Sequence, residues 1–306
     1  MEKIVPLTGP TVKGPLGVAH LPRLWLKCVL AAAGLAPEAY HTGYAGSNQT
    51  VIDGLGLDAD ATFAYLATGP SYAQFETWVR EHANRLDAAS MAAVNAAIDA
   101  QQKPADNAAA ARAFVGLSDP NERHSALLNA LDDWATVHAD VKARRGTKIQ
   151  PIVPAVSSQS VGPLGLMHLA RFWMKATLAS TDALYDSWNS GAKSGFDVWF
   201  CGAIGVDLDT AIAHIAAELP TYLAFEAWIV ANATHVSPAE ISAHNAGMRE
   251  RQKPAEVAAR ECALLGIERP PDYRPSIEIN DLVDWHVLHA NIAEFSSNAP
   301  RIASKT

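Results

Sequence analysis

His20-Leu21-Pro22-Arg23-Leu24-Trp25-Leu26-Lys27 returns 148 positions later as His168-Leu169-Ala170-Arg171-Phe172-Trp173-Met174-Lys175. Each stretch follows a Gly-Pro-Leu-Gly lead-in, at Gly14 to Gly17 and Gly162 to Gly165. At 100° per residue, His20, Arg23 and Lys27 fall within about 60° of one another on a helix. The remaining positions are nearly all apolar. The stretch therefore predicts a helix buried on most sides, with one cationic stripe. Pro22 suits its first turn, where a missing N–H costs nothing. Burying Arg and Lys is costly unless partners or a ligand compensate them.

Outward from this helix the landmarks recur in order. The loop Tyr40-His41-Thr42-Gly43 is matched loosely by Tyr185-Asp186-Ser187-Trp188. Asp58 and Asp207 are placed as N-caps, and Ser71 and Thr221 cap the next helix. That helix carries Phe75-Glu76-Thr77-Trp78 or Phe225-Glu226-Ala227-Trp228. Another helix starts near Asp87 or Ser237 and stops at Gln-Lys-Pro, at 102–104 and 252–254. The last helix holds Asp133, Trp134 and His138, matched by Asp284, Trp285 and His289. No stretch alternates as a strand would. The reading is all-α: two homologous helical domains in tandem, at 12–143 and 160–295, with six or seven helices each, related by a pseudo-twofold. A Gly-, Pro- and Ser-containing linker separates them, and a polar tail, Ser296 to Thr306, is expected to fray.

Composition narrows the function. The 306 residues are 49% apolar and 18% charged, a globular balance. The net charge of −8, with no basic run, argues against nucleic-acid binding. Cys28, Cys201 and Cys262 form no CxxC pair and read as free thiols of a reducing compartment. With no signal-peptide core and no apolar run of membrane length, a cytoplasmic protein without membrane association is expected. Nucleophile elbow, P-loop and Rossmann motifs are missing, so no motif implies a cofactor.

These landmarks resemble an uncharacterised bacterial domain family of unknown function. Its pattern is a His-Leu-Pro-Arg helix with a following Lys, a Gly-Phe-Asp element, a Gly-Ile/Leu-Asp helix start, an aromatic-x-x-Trp helix and a closing Asp/Trp helix. The resemblance covers nearly the whole chain and implies a topology but no activity. There are two departures. Ala170 stands where the first copy has Pro22, and Gly46-Ser47-Asn48 stands where the second has Gly195-Phe196-Asp197. A working Asp197 would make copy two the active half.

The ionisable pairs shared by both copies are His20/His168, Arg23/Arg171, Lys27/Lys175, Glu76/Glu226, Asp133/Asp284 and His138/His289. They admit three readings. In one, His168, Glu226 and His289 ligate zinc or iron. In another, Arg171 and Lys175 bind an anionic group, and His168 or His289 acts as acid or base. Asp197, Glu226 or Asp284 then orients the imidazole, while Trp173, Tyr222 and Trp285 wall an apolar pocket. In the third, the cations pair with Glu76/Glu226 and Asp133/Asp284 as structural ion pairs, with a Trp134–His138 contact beside them. The unmatched histidines, His244 included, belong on solvated faces. The preferred expectation is a metal-free acid–base enzyme of small-molecule metabolism. It would act as monomer or homodimer on a small, anionic, partly apolar molecule. The alternative is a non-catalytic ligand-binding or scaffold protein. A carboxylate closing each buried cation favours the alternative, and a cation and imidazole meeting at an empty pocket favours the enzyme.

Overall fold

In a computed structural model, residues 3–147, 149–267, 270 and 272–298 are described. Fourteen α-helices and one short 3-10 helix, Gly191–Lys193, account for the regular structure, and only isolated bridges occur besides them among the described residues. The first half contains α1 (Leu21–Ala32), α2 (Gly46–Leu55), α3 (Ala59–Ala67), α4 (Tyr72–His82), α5 (Ala88–Asp99), α6 (Ala105–Val115) and α7 (Ser125–Ala143). The second contains α8 (Leu169–Ser180), α9 (Gly195–Ile204), α10 (Leu208–Glu218), α11 (Tyr222–Asn232), α12 (Pro238–Glu250), α13 (Ala255–Leu265) and α14 (Ser276–Asn298). α14 thus continues into the segment expected to fray, and residues 299–306 lie outside the described ones. No single helix among the described residues is long and apolar enough to cross a membrane.

The helix starts follow from local chemistry. Asp58, Asp87 and Asp207 accept the N–H three residues on, satisfying a donor the helix leaves open. Ser71 and Ser237 form full capping boxes with Gln74 and Glu240. α1 and α8 begin differently. Their N-caps, His20 and His168, sit in the left-handed region at φ 67° and 73° and accept no capping bond. Gly17 and Gly165, three residues earlier, have φ of 78° and 73°. The lead-in needs glycine a second time: a Cβ on Gly14 would lie 2.2 Å from Tyr72 Oη, and one on Gly162 2.4 Å from Tyr222 Oη. Asn95 and Asn245 hold these loops, donating to Gly17 O and Gly165 O and accepting from the N–H groups of Ala19 and Met167.

The closing helices cross between the halves. α7 packs on α8 and α11, and α14 packs on α4. Trp285 lies edge-on to Tyr72, with ring centres 4.5 Å apart, and Trp134 meets Tyr222 at 4.7 Å. One continuous core joins the two halves. The lead and the linker also enter it. Leu7, Thr8, Val153, Val156, Ser157 and Ser158 are all buried, although they fall outside the two units read from the sequence.

Candidate functional site

Each cationic helix carries its Arg to a buried carboxylate. Arg171 grips Asp284 with both ends of its fork, Nη1 to Oδ2 at 2.5 Å and Nη2 to Oδ1 at 3.1 Å. Nη1 also donates to Pro154 O and Val156 O in the linker. Arg23 repeats this with Asp133, at 2.6 and 3.3 Å, and with Pro6 O and Thr8 O in the lead. A third donor completes each carboxylate, Tyr40 Oη on Asp133 and Trp188 Nε1 on Asp284. Trp188 therefore stands in the place of Tyr40. The sequence match of Tyr40 with Tyr185 is corrected by three positions, and Tyr185 instead donates to Asn291. All four members of the two Arg–Asp pairs are at most 5% exposed.

The Lys and His of each helix meet α2 or α9. In copy two, Lys175 Nζ lies 2.7 Å and His168 Nε2 3.1 Å from Asp197 Oδ1, while the N–H of Gly191 donates to Oδ2. Burial alone would raise the Asp197 carboxyl, but these donors and charges outweigh it and hold it low. His168 is pushed down to about 4, chiefly by burial, with Asp197 opposing. The neutral ring then donates Nε2–H to Asp197 and accepts at Nδ1 from Ser158 Oγ at 2.8 Å. In copy one, Asn48 replaces the carboxylate. Lys27 Nζ and His20 Nε2 both donate to its Oδ1, at 2.8 and 3.0 Å, and its Nδ2 donates to Gly43 O. Burial, with Arg23 adding to it, lowers Lys27 to about 8. Pro10 stands where Ser158 does, and His20 Nδ1 has no partner among the described residues.

The other expected residues go elsewhere. Glu226 accepts from Tyr222 Oη at 2.7 Å. Glu76 accepts from the Leu16 N–H and Tyr72 Oη and lies 4.0 Å from Arg80. The ion pairs of the cationic helices are made with Asp133, Asp284 and Asp197 in place of the expected Glu–cation bridges. His289 Nε2 donates to Gly69 O in the opposite half, and His138 Nε2 to Leu219 O. His168, Glu226 and His289 therefore do not converge, and no cluster of three metal-binding side chains occurs among the described residues. Trp134 reaches Tyr222 and His138 reaches Trp173, so the expected Trp134–His138 contact gives way to contacts across the halves. Trp173, Tyr222 and Trp285 fill the core between the halves instead of walling a pocket. His244, expected in solvent, is buried against Trp199 and Phe200.

Three buried residues had no signal in a comparison of the two copies. Ser158 faces Pro10, Asp281 faces Ala130, and Thr8 faces Val156. Asp281 accepts from Ser157 Oγ at 2.6 Å and Gln159 Nε2 at 3.0 Å, and burial lifts it to about 7. Thr8 Oγ1 accepts from Trp285 Nε1, whereas Trp134 Nε1 is buried without a partner among the described residues.

No family model, curated protein or solved structure matches this chain.

Proposed function

We propose that this is a non-catalytic ligand-binding protein, built from two copies of one helical domain about a pseudo-twofold, whose buried charges are structural. The copies fit the resemblance to the His-Leu-Pro-Arg domain family. The observation that carries the reading is that the cations of copy two are closed by carboxylates, Arg171 by Asp284 and Lys175 by Asp197. None of the six cationic-helix residues lines any of three cavities formed by the described residues. A group that turns over a substrate has to reach it, and His168, Ser158 and Asp197 are at most 1% exposed.

One observation favours an acid–base enzyme as the second reading. Ser158, His168 and Asp197 form a hydrogen-bonded series in which a hydroxyl meets an imidazole oriented by a carboxylate. Carbethoxylation by diethylpyrocarbonate, mapped by peptide mass spectrometry, separates the two. In a structural cluster, exposed His82 and His235 react in the native protein while His168 reacts only at the unfolding rate. Modification of native His168 at a rate near that of His82 would overturn the non-catalytic reading.

A further inference from the structure

Packed interiors leave few voids larger than a water molecule. A cavity of about 440 Å³ between the halves, open to solvent on one side, is larger than such voids. It lies where the lead, the linker, α7 and α14 come together. Its buried wall is apolar, formed by Leu7, Leu35, Val137, Val153, Ala155 and Leu288. Two backbone donors beside it are satisfied, Ile4 N–H by Leu35 O and Ile152 N–H by Ala183 O. Nothing in this wall calls for a polar ligand body.

The rim differs. Lys3, Asp140, Arg144 and Gln150 line the cavity from its exposed side. Arg144 pairs with Asp140 one turn away on the same helix end. Lys3 Nζ donates to Gly34 O at 2.9 Å and meets no carboxylate among the described residues. Among the described residues that line it, the rim therefore carries two cations, Lys3 and Arg144, and one anion, Asp140, over an apolar hollow. The volume falls in the range of about 300–1,000 Å³ that holds small organic ligands.

We infer that this cavity binds a small, mainly apolar monocarboxylate, its chain between α7 and α14 and its carboxylate at Lys3. This rests on the non-catalytic reading only for the claim that the bound molecule is a ligand. The anionic, partly apolar molecule expected from the sequence then binds at the seam between the halves, not at the cationic helices.

Titration calorimetry of the full chain with octanoate, and with 1-octanol as uncharged control, tests the site. Saturable 1:1 binding of octanoate is expected, about two- to fivefold tighter than octanol, the range of one exposed ion pair. Lys3→Gln is expected to erase that preference. Val153→Phe and, separately, Leu288→Phe fill the hollow and are expected to abolish binding of both probes. A photoreactive octanoate analogue on the wild-type chain covers the case in which a filled variant misfolds. Its adducts are expected within residues 3–7, 35–37, 136–144, 150–155 and 288–291. Absence of saturable binding, equal affinity for octanol, binding that survives both filled variants, or adducts elsewhere would each overturn the inference. His168 carbethoxylation reads only the buried cluster and octanoate only the seam, so either reading can fail without the other.

Discussion

Arg171→Met removes a guanidinium that Asp284, Pro154 O and Val156 O all depend on. The methionine keeps most of the apolar stem but none of the donors. Asp284 is left as a buried carboxylate with only Trp188 Nε1 among the donors named above, and it is 2% exposed. Breaking a buried pair in this way costs about 3–5 kcal/mol, and each carbonyl that loses its donor adds about 1 kcal/mol. A loss of about 5 kcal/mol or more is expected, a large share of the roughly 5–15 kcal/mol that holds a native protein together. Urea unfolding followed by far-ultraviolet circular dichroism and tryptophan fluorescence measures it. Adding Asp284→Leu removes the stranded charge, so the double variant should be more stable than Arg171→Met alone. A single variant that loses less than about 1 kcal/mol, or a double variant worse than the single, would refute the assignment of this pair as structural.

Three other substitutions probe the networks. Asn48→Asp supplies Lys27 with a carboxylate. In the wild type, Lys27 is lowered to about 8, so the folded state binds fewer protons than the unfolded one between about pH 8 and 10.5, and this group's contribution grows with pH by about 3 kcal/mol. The stability gained by Asn48→Asp should therefore be largest below pH 8 and shrink toward pH 10, read as the difference between two urea titrations. Asp281→Asn works in the opposite direction. A carboxyl raised to about 7 binds its proton more tightly when folded, so the wild type loses stability as pH rises from about 4 to 7, and the variant should gain on it by up to about 4 kcal/mol over that range. A flat difference curve contradicts the buried, hydrogen-bonded setting of Asp281. Val156→Thr offers Trp134 Nε1 the hydroxyl that Thr8 gives Trp285, and thermal unfolding should report a gain of about 1 kcal/mol; a loss would mean the hydroxyl does not reach the indole.

Periodicity and capping chemistry were enough to read six helices in each half, because both act over a few residues, but α2 and α9, which carry Asn48 and Asp197, were not read as helices. The cationic stripe, the caps Asp58, Ser71 and Asp207, and the burial of His20, Arg23 and Lys27 all follow from such local rules. Comparing the two copies also aligned Asn48 with Asp197, and both meet the Lys and His of their own half. What stayed hidden lies across the halves or in one half only. His138 and His289 find their acceptors in the opposite half, at separations of 81 and 220 residues, which no helical period encodes. Ser158 and Asp281 escaped because a search for shared ionisable positions discards any residue whose counterpart is Pro or Ala.

The exchange of Asp197 for Asn48 bears on what these clusters do. In both halves the ammonium and the imidazole converge on one Oδ1, at 2.7 and 3.1 Å in copy two and 2.8 and 3.0 Å in copy one. Two donors need only an oxygen acceptor there, and a carboxamide supplies one as a carboxylate does. The geometry therefore survives the change, while the charge does not: burial lowers both Lys27 and Lys175, but only copy two holds a carboxylate, Asp197, kept low by Lys175 and His168. A proton-transfer centre depends on that charge and would be disabled by the amide. A buried strut joining α1 to α2, or α8 to α9, depends on the hydrogen bonds and keeps working with either side chain.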